Sequence, residues 1–173
     1  MNVLQYFKEV TTFVFDVDGV LTDGRIILME NGLQARQMHV RDGLALQMAL
    51  QNGYNVVIIS GGYSDPVLHR MHYLGVTEVY LATKNKKEFL EKYLPQKNLS
   101  WNEVLFMGDD LPDLPALQQV GLPCCPADAI NEVKACSKYI SPIKGGRGCV
   151  RDVIEKVLKL NDQWNFNAEV TSR

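Results

Sequence analysis

Short apolar runs alternate along the chain with segments in which apolar residues recur every three or four positions. The apolar runs predict strands at 11–16, 55–60, 78–82, 103–108, 121–125 and 137–141. The segments between them predict helices at 42–52, 65–74, 85–94, 112–119, 128–135 and 147–160. Because the strands are almost continuously apolar, the alternation predicts an α/β fold in which helices cover both faces of a parallel sheet.

The segment from Arg25 to Val40, RIILMENGLQARQMHV, interrupts this alternation. Its central ENG lies between two half-apolar runs, a pattern that predicts a β-hairpin over about 25–40. The hairpin would project from the sheet just after the first strand. The pattern is compatible with a lid over a site and with a contact between subunits.

Length and composition narrow the class of protein. A chain of 173 residues with 46% hydrophobic residues is typical of one globular domain spanning 1–173. The net charge of -2 argues against the broad basic surface that non-specific nucleic-acid binding requires. Since no apolar run approaches ~18 residues and the N-terminus lacks a signal-peptide pattern, we expect a cytoplasmic protein that does not bind membranes.

Polar side chains follow three of the predicted strands. Asp16 and Asp18 end the first strand, Ser60 and two glycines follow the second, and Asp109 and Asp110 follow the fourth. The carboxyl ends of parallel strands meet at one sheet edge, where ligands bind. Each feature alone is more typical of a turn or a helix cap. Their joint occurrence at strand ends favours a functional site.

The residue types at this edge predict phosphoryl chemistry. Carboxylates held close together repel one another unless a cation lies among them, and oxygen-only ligands suit Mg²⁺ rather than zinc. An aspartate beside Mg²⁺ can attack phosphorus and form an aspartyl-phosphate. Ser60 and the following amides could bind phosphoryl oxygens, the TKNKKE stretch supplies Lys84, Lys86 and Lys87, and Asp18 could donate a proton.

Four stretches resemble the motifs of the haloacid dehalogenase superfamily of phosphatases: DVDGVLTDG, ISGG, a lysine near 86, and GDDLPD. The resemblance implies a Rossmann-like sheet of strand order 5-4-1-2-3. It implies that Asp16 is the nucleophile, and that Asp18 is the general acid and then the base. The Mg²⁺ ligands that it implies are Asp16, Asp109 and the main-chain carbonyl of Asp18.

The same resemblance assigns the remaining site residues. Asp110 and Asp113 would support the water shell of the metal, and Ser60, Gly61 and a lysine would bind the phosphoryl group. Lys86 is preferred because short members of the superfamily place this lysine six residues after the tyrosine of a Val-Tyr pair. Lys84 remains the alternative.

Two further stretches, VRDG at 40–43 and IKGGRG at 143–148, are similar to a capless family that hydrolyses 3-deoxy-D-manno-octulosonate (KDO) 8-phosphate during lipopolysaccharide synthesis. This similarity implies a homotetramer without a cap domain, in which the hairpin at 25–40 contacts neighbouring subunits. Candidate ligands for the sugar carboxylate are Arg41, Arg70 and Arg147. Gly62 departs from the family pattern, which has arginine at that position.

Three alternatives compete with this interpretation. A phosphatase for a nonulosonate 9-phosphate would share the catalytic motifs. A response-regulator receiver also joins acids, a hydroxyl and a lysine around Mg²⁺, but it lacks the D-x-D arrangement. The third is a non-catalytic tetramerisation domain. The polar tail 161–173 is predicted either to dock on a neighbouring subunit or to be disordered.

Overall fold

A computed structural model describes residues 2–165 of the chain. The described strands are β1 (Thr12–Phe15), β2 (Ile27–Leu28), β3 (Gln34–Ala35), β4 (Asn55–Ile59), β5 (Glu78–Tyr80), β6 (Val104–Met107), β7 (Leu122–Cys125) and β8 (Tyr139–Ile140). The described α-helices are α1 (Val3–Glu9), α2 (Val40–Gln51), α3 (Asp65–Tyr73), α4 (Lys86–Gln96), α5 (Leu114–Leu117), α6 (Asn131–Cys136) and α7 (Cys149–Leu160).

Six strands form one sheet in the order β5-β4-β1-β6-β7-β8, and every neighbouring pair is parallel. If the hairpin strands β2 and β3 are not counted, the order of these strands by position in the chain is 3-2-1-4-5-6. Read from the other edge of the sheet, the first five strands along the chain have the order 5-4-1-2-3. The predicted order 5-4-1-2-3 is therefore confirmed, and β8 extends the sheet by one strand beyond β7. None of the helices within residues 2–165 is long and apolar enough to cross a membrane.

The central strand β1 divides the core between the two faces of the sheet. Successive side chains of a strand point to opposite faces. Phe13 and Phe15 accordingly pack in a cluster that includes Ile154 of α7, whereas Val14 packs in a second cluster with Leu90 of α4. All four residues of β1 are buried, which explains why the strand is apolar without alternation.

The segment after β6 differs from its prediction. In place of one helix over 112–119, residues Leu111–Asp113 form a 3-10 turn, and α5 continues only to Leu117. The turn is closed by the side chain of Asp113, which accepts hydrogen bonds from the main-chain amides of Asp109 and Asp110. The predictions also missed α1, whose N-cap is Asn2.

The hairpin predicted at 25–40 is confirmed, although its strands are only two residues long. Ile27 pairs with Ala35 and Leu28 with Gln34 in a two-stranded sheet that is separate from the main one. Its apolar side chains lie outside the core, and Leu28 is 76% exposed. The segment 36–39 then connects β3 to α2.

The predicted tail begins within the described part of the chain. The Tyr54 hydroxyl donates a hydrogen bond of 2.6 Å to Gln163 Oε1, and Trp164 packs against the core cluster that contains Phe13. The first residues of the tail thus contact their own chain. Residues 166–173 lie outside the described residues, and so does the prediction for that part of the tail.

Candidate active site

The carboxyl ends of β1, β4 and β6 open into one cleft of about 310 Å³. Asp16 follows β1 directly, Ser60 follows β4, and Asp109 lies two residues after β6. The cleft brings together nine of the predicted residues: Asp16, Asp18, Ser60, Gly61, Lys84, Lys86, Asp109, Asp110 and Asp113. The sheet therefore gathers groups that are up to about a hundred positions apart in the sequence.

Three carboxylates at the centre of the cleft form a group that could hold a metal ion. Asp16, Asp109 and Asp113 each place an oxygen within 4.8 Å of the others. Burial and the charge of Asp113 raise the pKa of Asp16 to about 6, although Lys86 opposes the shift. Burial, Asp16 and Asp113 raise the pKa of Asp109 to about 8. Asp109 Oδ1 is buried and has no hydrogen-bond partner among the described residues. This oxygen-only donor set fits a hard divalent cation.

Lys86 is the lysine that contacts these carboxylates. Its Nζ lies 2.7 Å from Asp16 Oδ1 and 2.5 Å from Asp113 Oδ1, and its side chain is 4% exposed. Burial alone would lower the pKa of Lys86, but Asp16 and Asp113 together raise it, so the amine stays charged. Lys84 is exposed at the edge of the cleft. Of the two lysines that the sequence left open, Lys86 has the geometry of an active-site cation.

Asp113 fixes the loop that carries the other acids. Its Oδ2 accepts the amide hydrogens of Asp109 at 2.9 Å and of Asp110 at 3.3 Å, while its Oδ1 binds Lys86. Asp110 is exposed, and its side chain accepts a hydrogen bond from the amide of Leu111 at 2.8 Å. Both oxygens of Asp113 are thus engaged within the protein, whereas Asp109 Oδ1 is available to a ligand.

Two glycines allow the loops around Asp109 to approach closely, and the sequence prediction gave neither of them a role. At Gly19, φ is +93° and a Cβ would lie 2.0 Å from Asp109 Oδ2. At Gly145, a Cβ would lie 1.9 Å from the carbonyl oxygen of Gly19. Any larger residue would therefore displace the loops. The glycines of VDG and KGGRG were the available signal in the sequence.

Asp18 contacts a residue that the sequence prediction missed. Nε of Arg36 donates to Asp18 Oδ1 at 2.6 Å, and Nη2 donates to Asp18 Oδ2 at 3.3 Å. Arg36 follows β3 directly, so this pair connects the hairpin to the cleft. A basic residue eighteen positions after Asp18 carries no signal without knowledge of how the hairpin folds back.

Ser60 and Asp18 both lie next to Gly62 in the cleft. The Ser60 side chain is buried, and its Oγ accepts the amide hydrogen of Gly62 at 3.2 Å. A Cβ at Gly62 would lie 3.7 Å from Asp18 Oδ2 and 3.9 Å from Arg36 Nη2. Position 62 thus borders the ion pair of Asp18 with Arg36.

The three arginines predicted to bind the sugar carboxylate lie outside this cleft in the single chain. Arg41 and Arg147 line a separate groove of about 330 Å³ beside α7. Arg70 lines a cavity of about 640 Å³ between the hairpin and α3. Their proposed contacts with the substrate stay a prediction.

Comparisons with known proteins identify a matching family model and several similar proteins. A family model of haloacid dehalogenase-like hydrolases matches residues 71–151. The 3-deoxy-D-manno-octulosonate 8-phosphate phosphatase of Escherichia coli K12 is 34% identical over 91% of this chain and 84% of the relative. The Moraxella catarrhalis enzyme of that name, solved with magnesium, phosphate and KDO, is 34% identical with a TM-score of 0.89 over 91% of each chain. A cobalt-bound relative from Haemophilus influenzae is 30% identical with a TM-score of 0.87, over 91% of this chain and 92% of the relative.

Proposed function

The chain belongs to the 3-deoxy-D-manno-octulosonate 8-phosphate phosphatase family of haloacid dehalogenase-like hydrolases, and we propose that it hydrolyses KDO 8-phosphate to KDO and phosphate. The observation that carries the proposal is the placement of Asp16 beside Lys86 and Asp109 at the end of β1. A buried carboxylate next to a charged amine and a cation site is suited to attack on a phosphate ester.

The reaction has two steps, and both use Asp16 and Asp18. In the first, a carboxylate oxygen of Asp16 forms a bond to phosphorus while the bond from phosphorus to the sugar oxygen breaks. Asp18 gives its proton to the leaving oxygen. In the second, water attacks phosphorus, its proton passes to Asp18, and the bond from phosphorus to Asp16 breaks. Free phosphate and the original carboxylate of Asp16 result.

The remaining residues of the cleft stabilise negative charge. Mg²⁺, held by Asp16, Asp109 and the main-chain carbonyl of Asp18, would offset the charge of the phosphoryl oxygens. Lys86 contributes a fixed positive charge next to Asp16. The buried Ser60 hydroxyl and the amide of Gly61, both at the cleft, would donate hydrogen bonds to the phosphoryl group.

The exposed hairpin supports assembly of the chain as a homotetramer. Ile27, Leu28 and Leu33 are 55%, 76% and 60% exposed, and several exposed large apolar side chains on one hairpin are typical of a protein contact surface. Neighbouring subunits would cover these side chains and would close the cleft in the absence of a cap domain. In that assembly, the carboxylate of the bound sugar acid would be reached by an arginine of the same subunit or of a neighbouring one. The candidates are Arg41, Arg70 and Arg147.

The experiment that tests the proposal is phosphate release from KDO 8-phosphate with Mg²⁺ and after chelation. A nonulosonate 9-phosphate and a hexose phosphate are the competing substrates, and folded Asp16→Asn protein is the negative control. We expect Mg²⁺-dependent turnover with preference for KDO 8-phosphate, and none from Asp16→Asn.

Each other result would point to a different change in the proposal. Preference for the nine-carbon ester would retain the chemistry and change the substrate. Turnover by folded Asp16→Asn would refute the mechanism. Failure to hydrolyse any phosphate ester would favour a tetramerisation domain without catalytic activity.

A further inference from the structure

The ion pair of Arg36 with Asp18 is more specific than a surface salt bridge. Two nitrogens of the guanidinium approach two different oxygens of the carboxylate, at 2.6 Å and 3.3 Å. The Arg36 side chain is 9% exposed, whereas the Asp18 side chain is 35% exposed and lines the cleft. Paired hydrogen bonds of this kind fix the orientation of a carboxylate as well as attracting it.

The Arg36 side chain lies between Asp18 and the cavity of about 640 Å³ that separates the hairpin from α3. On the side of Asp18 and Gly62, Arg36 borders a void too small to hold a water molecule, whose other lining residues are Val17, Ser60, Ser64, Val67 and Leu81. A side chain at position 62 would begin within 3.9 Å of Arg36 Nη2. Because position 62 is glycine, Arg36 of the hairpin segment can occupy the space beside Asp18.

We propose that Arg36 is a positioning residue that orients the Asp18 carboxylate for attack by water on the aspartyl-phosphate. The inference rests on the proposed function, in which Asp18 accepts the proton of that water. A carboxylate has about four lone-pair positions, of which Arg36 uses two, so Asp18 can still bind the water. As the oxygen of water bonds to phosphorus, its proton moves to Asp18 and the bond to Asp16 breaks.

This role predicts that losing Arg36 slows the second step more than the first. Correct orientation of a general base contributes about 10²- to 10⁴-fold to a proton-transfer step, and a displaced base loses part of that factor. With 4-nitrophenyl phosphate the leaving group departs without needing a proton from Asp18. The first step should then persist in Arg36→Ala, and phosphoenzyme should accumulate.

The experiment compares wild type, Arg36→Ala and Arg36→Lys in rapid mixing with 4-nitrophenyl phosphate and Mg²⁺. Exposed Arg25 in the same hairpin provides the matched control, Arg25→Ala. We expect Arg36→Ala to keep the rate of the first nitrophenol release within about twofold and to lose at least about tenfold in steady-state rate. Acid-quenched samples should contain more phosphoenzyme than wild type, and Arg36→Lys should be intermediate.

Millimolar guanidinium added to Arg36→Ala provides a second readout, since it can occupy the space left by the arginine side chain. Recovery of the steady-state rate in Arg36→Ala, with no effect on Arg25→Ala, would support the assignment. Size-exclusion chromatography and circular dichroism of each variant identify any loss of assembly or fold. If Arg36→Ala does not fold, Arg36→Lys carries the same comparison of the two steps.

Two results would overturn the role of Arg36. One is an equal fall of the first and second steps, which would place the arginine in phosphate binding or in folding. The other is an unchanged steady-state rate. Because the probe is an aryl phosphate, a wrong assignment of the sugar does not affect the comparison. Absence of phosphoenzyme from both wild type and Arg36→Ala while both turn over substrate would instead refute the proposed mechanism, and the role of Arg36 with it.

Discussion

Asp42 supplies the most quantitative prediction because its carboxylate is buried between two helices. It lies in the first turn of α2, is 1% exposed, and accepts the amide hydrogen of Arg151 in α7 at 2.7 Å. Its second oxygen, Oδ2, is buried and has no hydrogen-bond partner among residues 2–165. Burial, opposed by the hydrogen bond from Arg151, raises the pKa of Asp42 from 3.8 to about 6. Ionised Asp42 therefore lowers the free energy of unfolding in a pH-dependent way, and we expect Asp42→Asn to remove this effect.

The size and sign of this effect follow from the two pKa values. Between about pH 4 and pH 6 the folded protein retains the proton of Asp42 whereas the unfolded chain has lost it, so stability falls as the pH rises. A shift of about two units corresponds to about 3 kcal/mol above pH 6. The side chain introduced by Asp42→Asn keeps an acceptor for the Arg151 amide but leaves its own amide unpaired, at a cost of about 1–3 kcal/mol that does not vary with pH.

The assay is urea unfolding of wild type and Asp42→Asn at several pH values from 4 to 8, with exposed Asp65→Asn as the control for removing a charge. The stability of Asp42→Asn relative to wild type should increase by up to about 3 kcal/mol between pH 4 and pH 7, then stay level. A difference that is constant over this range would refute the assignment of a raised pKa to Asp42. So would an equal pH dependence in the Asp65→Asn control.

Two further predictions concern the cleft itself. Asp109→Asn removes a carboxyl group whose ionisation is opposed by burial and by Asp16 and Asp113, so the protein without metal should gain about 2–4 °C in Tm. The increase in Tm that Mg²⁺ gives wild type should disappear in thermal-shift measurements. Lys86→Met should lower kcat for a phosphate ester by about 10²-fold or more. The neighbouring Lys87 is half-buried and pairs with Glu91, so the control variant Lys87→Met should retain wild-type kcat. These assignments would be contradicted if Mg²⁺ raised the Tm of Asp109→Asn, or if kcat fell equally in the two lysine variants.

Much of the sheet could be predicted because its signals are local. The central residues of the runs at 11–16 and 55–60, namely 13–15 and 56–59, are buried on both faces of the sheet and have the unbroken hydrophobicity of central parallel strands. The segment 112–119 failed as a helix because its conformation depends on a distant partner. The Asp113 side chain turns back to the amides of its own loop and to Lys86, and helical periodicity takes no account of either contact.

The acidic residues Asp16, Asp18, Asp109 and Asp110 were predictable for a similar reason, since each lies within three residues of a strand end. Asp113 followed only from the family resemblance. Contacts between loops were not predictable. Gly19 lies against Asp109, and Gly145 lies against Gly19, only after the chain has folded. The same holds for Arg36, whose hairpin pattern indicates a turn but not the direction in which the arginine points. Sequence pattern thus finds residues that act at the end of a strand and misses those that support them.

The Arg36 contact also gives the hairpin a double role. Its exposed residues Ile27 and Leu28 form the surface that we propose neighbouring subunits cover, while Arg36, just after β3, holds Asp18 in the cleft. The two-residue strands contribute few hydrogen bonds of their own, so such a hairpin depends on packing for a fixed position. Covering it in a tetramer would therefore also restrict Arg36. Under the proposed function, a variant that weakens assembly through Leu28 should slow breakdown of the phosphoenzyme more than its formation.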